Sequence, residues 1–217
     1  LHDLDLAEFR AAIAAAHLVW LVPMALLAAV AMWLRARRWG ILLSTLGPLG
    51  DTPVFDATCI GFMGNMVLPL RAGELLRPLV ASRAGHVSMP AALATVAIDR
   101  LLDLVMLGAL IVVTLFLVPA GEQLRSAAHG LALVIGLGIV VLFLVIRFAT
   151  WIELRAMALS GRLPPLLARI VQEGVRGFLL GVKGLREPRI LAPALGYSAL
   201  IWLVAILGFV TTALALD

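Results

Sequence analysis

Residues 61–103 read GFMGNMVLPLRAGELLRPLVASRAGHVSMPAALATVAIDRLLD, and they set Arg71, Glu74, Arg77, Arg83, Asp99, Arg100 and Asp103 among residues suited to lipid. The chain of 217 residues is 63% hydrophobic and only 14% charged, so this density of charge calls for an explanation. An ionisable side chain at the centre of a membrane helix costs at least about 2.5–3.5 kcal/mol, so it faces a partner or a cavity. This stretch is the candidate site.

Downstream, Ser88 and Pro90 mark the start of a long apolar helix expected to reach about Val118. Asp99, Arg100 and Asp103 fall on one face of it, because residues three and four apart are neighbours on a helix. Asp99 lies about ten residues in, roughly 15 Å along the axis, which is mid-membrane if the helix starts at the interface. Upstream, Val54 to Leu70 is apolar but interrupted by Asp56, Gly61, Gly64, Asn65 and Pro69. Its flanks on both sides carry cytoplasmic signals, so a broken, re-entrant segment fits better than a span. Residues 71–87, with Arg71, Arg77 and Arg83, are expected to return to the cytoplasmic side. If helical, Arg71, Glu74 and Arg77 line one side.

Further out, the mean hydropathy of +1.08 and several apolar runs near span length define an all-α, polytopic helical membrane bundle. One transmembrane domain, 1–217, is expected. The first span is predicted from about Ala11 to Leu34, after a polar-apolar lead-in over residues 1–10, with Pro23 as a kink candidate. Arg35, Arg37 and Arg38 follow it as a positive-inside mark, and residues 40–52 read as a loop. A third span is predicted from about Gly130 to Phe148 after a link at residues 119–129, and a last one from about Leu191 to Leu216. The arginine distribution places residues 35–38, 71–87 and 150–190 in the cytoplasm. The chain starts with Leu rather than Met and shows no signal peptide, so it is expected to be part of a longer protein.

Residues 150–190 hold the largest basic concentration. Within them Leu166–Gly184 sorts into a polar arc (Arg169, Gln172, Glu173, Arg176, Lys183) and an apolar arc (Leu167, Val171, Val175, Phe178, Val182). That pattern predicts an amphipathic helix in the interface. Between the arcs, Gly174, Gly177, Gly181 and Gly184 form a narrow stripe that predicts close approach by another helix.

Seventeen Lys+Arg against 13 Asp+Glu give a net charge of +4. In a membrane protein this excess follows from cytoplasmic loops, so no nucleic-acid partner is inferred. Cys59 is the single cysteine, and His2, His17, His86 and His129 are scattered without metal-ligand spacing. No metal, cofactor or catalytic motif is read from the chain. Two readings of the charged cluster remain: mutual pairing that clamps the re-entrant segment, and a polar cavity that takes an anionic headgroup. Arginine suits the second because its fork donates in parallel to phosphate oxygens. Glu74, Asp99 and Asp103 would then hold the arginines in place, and Gly61, Gly64 and Gly73 would admit close backbone approach. Asn65 could satisfy backbone groups freed at the break.

Asn65, then Pro69-x-Arg71-x-Gly73-Glu74-x-x-Arg77, then Asp99-Arg100-x-x-Asp103, resemble the signature of the lysylphosphatidylglycerol synthase transmembrane region, a flippase-like family. Many members have Glu where this chain has Asp99. The resemblance implies a multi-pass inner-membrane protein that binds or translocates a membrane phospholipid or a lipid-linked substrate. It also implies an alternative, a membrane anchor or subunit working with a partner synthase or glycosyltransferase of aminoacyl-lipid or lipid-linked glycan synthesis. On this resemblance the headgroup site comprises Arg71, Glu74, Arg77, Asp99, Arg100 and Asp103, supported by Gly61, Gly64, Asn65, Pro69 and Gly73.

Overall fold

The computed structural model describes residues 17–85, 87–117 and 147–216, and between these only 130, 133, 135–138, 140 and 144. The lead-in at 1–10, His86, the link at 119–129 and much of the predicted third span lie outside the described residues. Among the described residues there are helices and turns but no strand. A 3₁₀ turn, Leu18–Trp20, leads into α1 (Leu21–Leu43); α2 is Asp51–Val67, α3 Gly73–Ala84, α4 Met89–Leu117, α5 Ala149–Ser160, α6 Pro165–Gly184 and α7 Pro188–Leu216. The residues described between 130 and 147 are also helical.

Among the described residues, two stretches are long and apolar enough to cross a membrane: Leu18–Leu43, with mean hydropathy 1.9, and Pro188–Ala215, with 2.2. Among the described helices they form the most extensive pair, α1 against α7. Their far ends meet where the His17 N–H donates to the Ala215 carbonyl at 3.0 Å. At 29 residues α4 is also long enough, about 44 Å at 1.5 Å per residue, but it carries the three charges of the candidate site. Its bounds match the expected Ser88–Val118 as far as the described residues reach.

The first helix differs from expectation at its inner end. Residues 40–43 continue α1 instead of opening a loop, and the next helix begins at Asp51 within the expected loop. The reason is packing: Trp39, Leu42 and Leu43 are fully buried and carry the helix inward past its arginines. Pro23 sits in the first turn, where the absent N–H is tolerated, so no kink is required of it.

The core lies toward one end of the molecule. In α1 no residue before Leu34 is buried, and in α7 Ala194, Ser198 and Ile201 are the buried positions. Trp39, Val54, Ala81, Ile98, Val182 and Ala194 bring six helices into one cluster. At the other end Val22, Leu26, Phe209 and Val210 expose their side chains.

Two features hold the core helices together. The α2–α3 hairpin turns through Leu68–Ala72, where Leu70 and Arg71 take left-handed φ of 58° and 55°. Its arms touch at glycines: a Cβ on Gly73 would stand 1.9 Å from the Gly61 carbonyl oxygen, and one on Gly64 would stand 3.0 Å from the Gly73 Cα. The second feature is the α6 glycine stripe. A Cβ on Gly177 would fall 2.4 Å from the Ala91 Cα of α4, and one on Gly181 would fall 2.4 Å from Ile98 Cδ1. Gly184 faces Thr45 as closely, at 2.6 Å, whereas Gly174 has ordinary room, with Pro90 at 3.8 Å. The expected close approach of another helix's backbone is therefore present at Gly177, while the side chains of Ile98 of α4 and Thr45 of the turn after α1 fill the space at Gly181 and Gly184. On the polar arc of α6, Arg169 Nε donates to Glu173 Oε1 at 2.7 Å and holds that carboxyl below the usual range.

Candidate functional site

The site is an ionic cluster built by α1, α3 and α4, with α7 behind it. Asp99 of α4 is its centre and is 1% exposed. Arg38 Nε of α1 donates to Asp99 Oδ1 at 2.8 Å, and Arg77 Nη1 of α3 donates to Oδ2 at 3.1 Å. Arg100 Nη2 lies 3.7 Å from the same Oδ2. Arg38 is fully buried, and its Nη1 also donates to Ser198 Oγ of α7 at 3.0 Å and lies 2.7 Å from Asp103 Oδ1. Arg77, 2% exposed, stacks over Trp39 at 4.0 Å, and the Trp39 indole donates to Thr95 Oγ1 at 3.0 Å.

Above this buried layer sits a half-exposed rim. Arg100, Glu74, Arg35 and Asp103 expose 38%, 30%, 26% and 19% of their side chains. Arg100 Nη1 donates to Asp103 Oδ2 at 3.0 Å, its Nη2 lies 3.5 Å from Glu74 Oε1, and Arg35 Nη1 lies 3.9 Å from Asp103 Oδ2. The buried layer fixes the helices, and the rim is what a ligand could reach.

The pairing is incomplete on both sides: Asn65 Oδ1 and Asp103 Oδ1 also lack a hydrogen-bond partner among the described residues, although the latter lies 2.7 Å from Arg38 Nη1. Arg38 Nη2, Arg77 Nε and Nη2, and Arg100 Nε are buried and meet no acceptor among the described residues. Buried donors normally find acceptors, so four orphaned guanidinium nitrogens in one cluster suit an oxygen-rich anion.

Of the residues expected in the site, Glu74, Arg77, Asp99, Arg100 and Asp103 come together. Arg71 does not: it belongs to the non-helical turn rather than to the face carrying Glu74 and Arg77, and it is exposed. Pro69 opens that turn, and Gly61, Gly64 and Gly73 close the hairpin. Asn65 serves a different partner from the freed backbone groups expected of it. Its Nδ2 donates to Glu74 Oε1 at 3.4 Å, tying the hairpin to the rim.

Sequence reasoning missed Arg35 and Arg38, reading both as topology marks. The available signal was their spacing: 35, 38, 39 and 42 continue one helical stripe into Trp39 and Leu42, which are both fully buried. Arg37, off that stripe, is the surface residue, paired with Asp51 and lying 6.0 Å over the Trp33 ring.

An all-helical membrane protein with an arginine-rich ionic cluster between its helices is the class that this fold and site define. The sequence matches, over residues 1–217, the family model described as the lysylphosphatidylglycerol synthase TM region, and the chain belongs to that family. No curated protein and no solved structure matches the chain.

Proposed function

We propose that the chain is a multi-pass lipid translocase or lipid-binding transporter domain of the inner membrane, taking an anionic phospholipid headgroup at the cluster. The observation that carries this reading is Arg100, 38% exposed at the rim of an arginine-rich cluster and with its Nε lacking an acceptor among the described residues. Clamping alone would be best served by matched charges. Arg100 is the headgroup contact at the rim, Arg71 is an outer contact at the hairpin turn, buried Arg77 holds Asp99 beneath Arg100, and Glu74, Asp99 and Asp103 orient the arginines. The hairpin is re-entrant in this reading. Its α2 arm of 17 residues is about 25 Å long, short of a ~30 Å hydrocarbon core. Met66, Val67 and Leu70 at its turn are 88%, 75% and 100% exposed, as a tip in hydrocarbon requires.

The test is lipid copurification and headgroup-dependent scrambling in liposomes, with variants of equal thermal stability. Arg100→Gln should lose both, and Arg100→Lys should keep part, because lysine keeps the charge but not the fork. Wild-type lipid binding and transport in every folded cluster variant would make the cluster purely structural.

A further inference from the structure

Helix α5 and the first half of α6 stand away from the core. Among the described elements α5 packs on α6. Gln172 Nε2 donates to Ser160 Oγ at 2.7 Å and Lys183 Nζ to Glu153 Oε2 at 3.4 Å, tying the two together. The buried residues of α6 begin at Gly177. Before it Leu166, Leu167 and Ile170 expose their side chains, and on α5 so do Trp151, Leu154 and Met157. Six large apolar side chains open on two neighbouring helices exceed the single hydrophobics normal on a surface. The charges there are unbalanced as well. Residues 149–184 carry Arg155, Arg162, Arg169, Arg176 and Lys183 against Glu153 and Glu173. Lys183 engages Glu153 and Arg169 engages Glu173. Arg155, Arg162 and Arg176 are exposed and meet no carboxylate among the described residues.

We infer that α5 and the first half of α6 form an anchor that docks on the anionic lipid surface of the surrounding bilayer. The apolar side chains enter the boundary of the acyl region, and Arg155, Arg162 and Arg176 meet lipid phosphates. Helix α5 joins this surface through its packing on α6, although its own sequence lacks the sharp amphipathic pattern of α6. The Arg155 guanidinium lies 5.3 Å over the Trp151 ring. That pair joins an indole, which favours the membrane–water boundary, to a cation that can reach the headgroups. An acidic soluble partner would also match the arginines. The bilayer is favoured by position: Gly174 and Gly177 lie against Pro90 and Ala91, so α6 meets α4 in the first turn of that long apolar helix. The anchor shares no residue with the ionic cluster, so it holds whether or not the cluster takes a headgroup.

Depth measurements test the anchor. Leu154→Cys and Leu166→Cys, each in a Cys59→Ser background, carry a nitroxide on the full chain, one copy per nanodisc. Collisions with oxygen, which concentrates in the bilayer, and with a water-soluble nickel chelate report where each label sits. In nanodiscs containing phosphatidylserine both labels should favour oxygen. Arg162→Gln and Arg176→Gln, at exposed positions, should each lower the ratio of docked to undocked hairpin about fivefold. Phosphatidylcholine alone, or high salt, should shift the ratio in the same direction. Labels that favour the nickel chelate in phosphatidylserine overturn the anchor and leave the surface to a soluble partner. If they become protected only with two copies per nanodisc, the surface is an interface between copies and the anchor is likewise wrong. Equal protection in both lipids and in both arginine variants would overturn the anionic preference and leave a purely apolar insertion.

Discussion

Asp99 holds two buried guanidinium groups at hydrogen-bond distance, and removing its charge would leave Arg38 and Arg77 uncompensated. Asp99→Asn should therefore destabilise the protein by about 3–5 kcal/mol, the usual cost of breaking a buried pair from one side. Arg100→Gln, on a side chain 38% exposed, should change stability by less than about 1 kcal/mol. Thermal unfolding in one detergent checks both, and equal losses would erase the distinction between buried layer and rim. At this scale the sequence was partly legible. Asp99, Arg100 and Asp103 could be placed on one face from spacing alone. Arg38 could not be separated from Arg37 by composition, because both follow an apolar run; only the helical spacing that puts Arg38 on the stripe of buried Trp39 and Leu42 separates them.

The α6 seam makes opposite predictions for glycines three residues apart. Gly177→Ala would put a methyl against the Ala91 backbone, which cannot rotate away as a side chain can, so a loss of about 1–3 kcal/mol or more is expected. Gly174→Ala meets ordinary contact distance at Pro90 and gains helix propensity, so it should be neutral or stabilising by up to about 1 kcal/mol. Matching effects of the two alanines on the melting temperature would remove the seam. The α2–α3 turn offers a second test. Leu70 is fully exposed with φ 58°, so Leu70→Gly loses no packing and relieves a left-handed backbone. Leu70→Val should destabilise, because a β-branched residue fits that region worst. Helices with strong periodicity or clear caps, such as α4 and α6, were legible in sequence to within a residue or two. The hairpin's exact turn was not, because Arg71, Glu74 and Arg77 also fit a helical spacing and only the backbone breaks it.

At the scale of the molecule, the arginine-rich segments and the packed core share one end. Leu49 lies against Gly85 and Thr45 against Gly184, so the connections after α1, α3 and α6 gather there, while His17 and Ala215 meet at the other end. Positive-inside bias predicts that the gathered end is cytoplasmic and Leu18 near the outer surface. Single cysteines introduced in a Cys59→Ser background test this with an impermeant thiol reagent on intact cells. Cysteine at position 162, an exposed site between α5 and α6, should label only after permeabilisation, and cysteine at position 18 should label from outside. Cysteine at position 70 separates a re-entrant hairpin from an aqueous one. Although Leu70 is fully exposed on the protein, a tip lying in hydrocarbon keeps the thiol from ionising, so it should react poorly from either side. Position 162 labelling from outside would invert the orientation. Position 70 labelling as readily as position 162 after permeabilisation would put the hairpin in water and move the charged cluster out of the membrane with it.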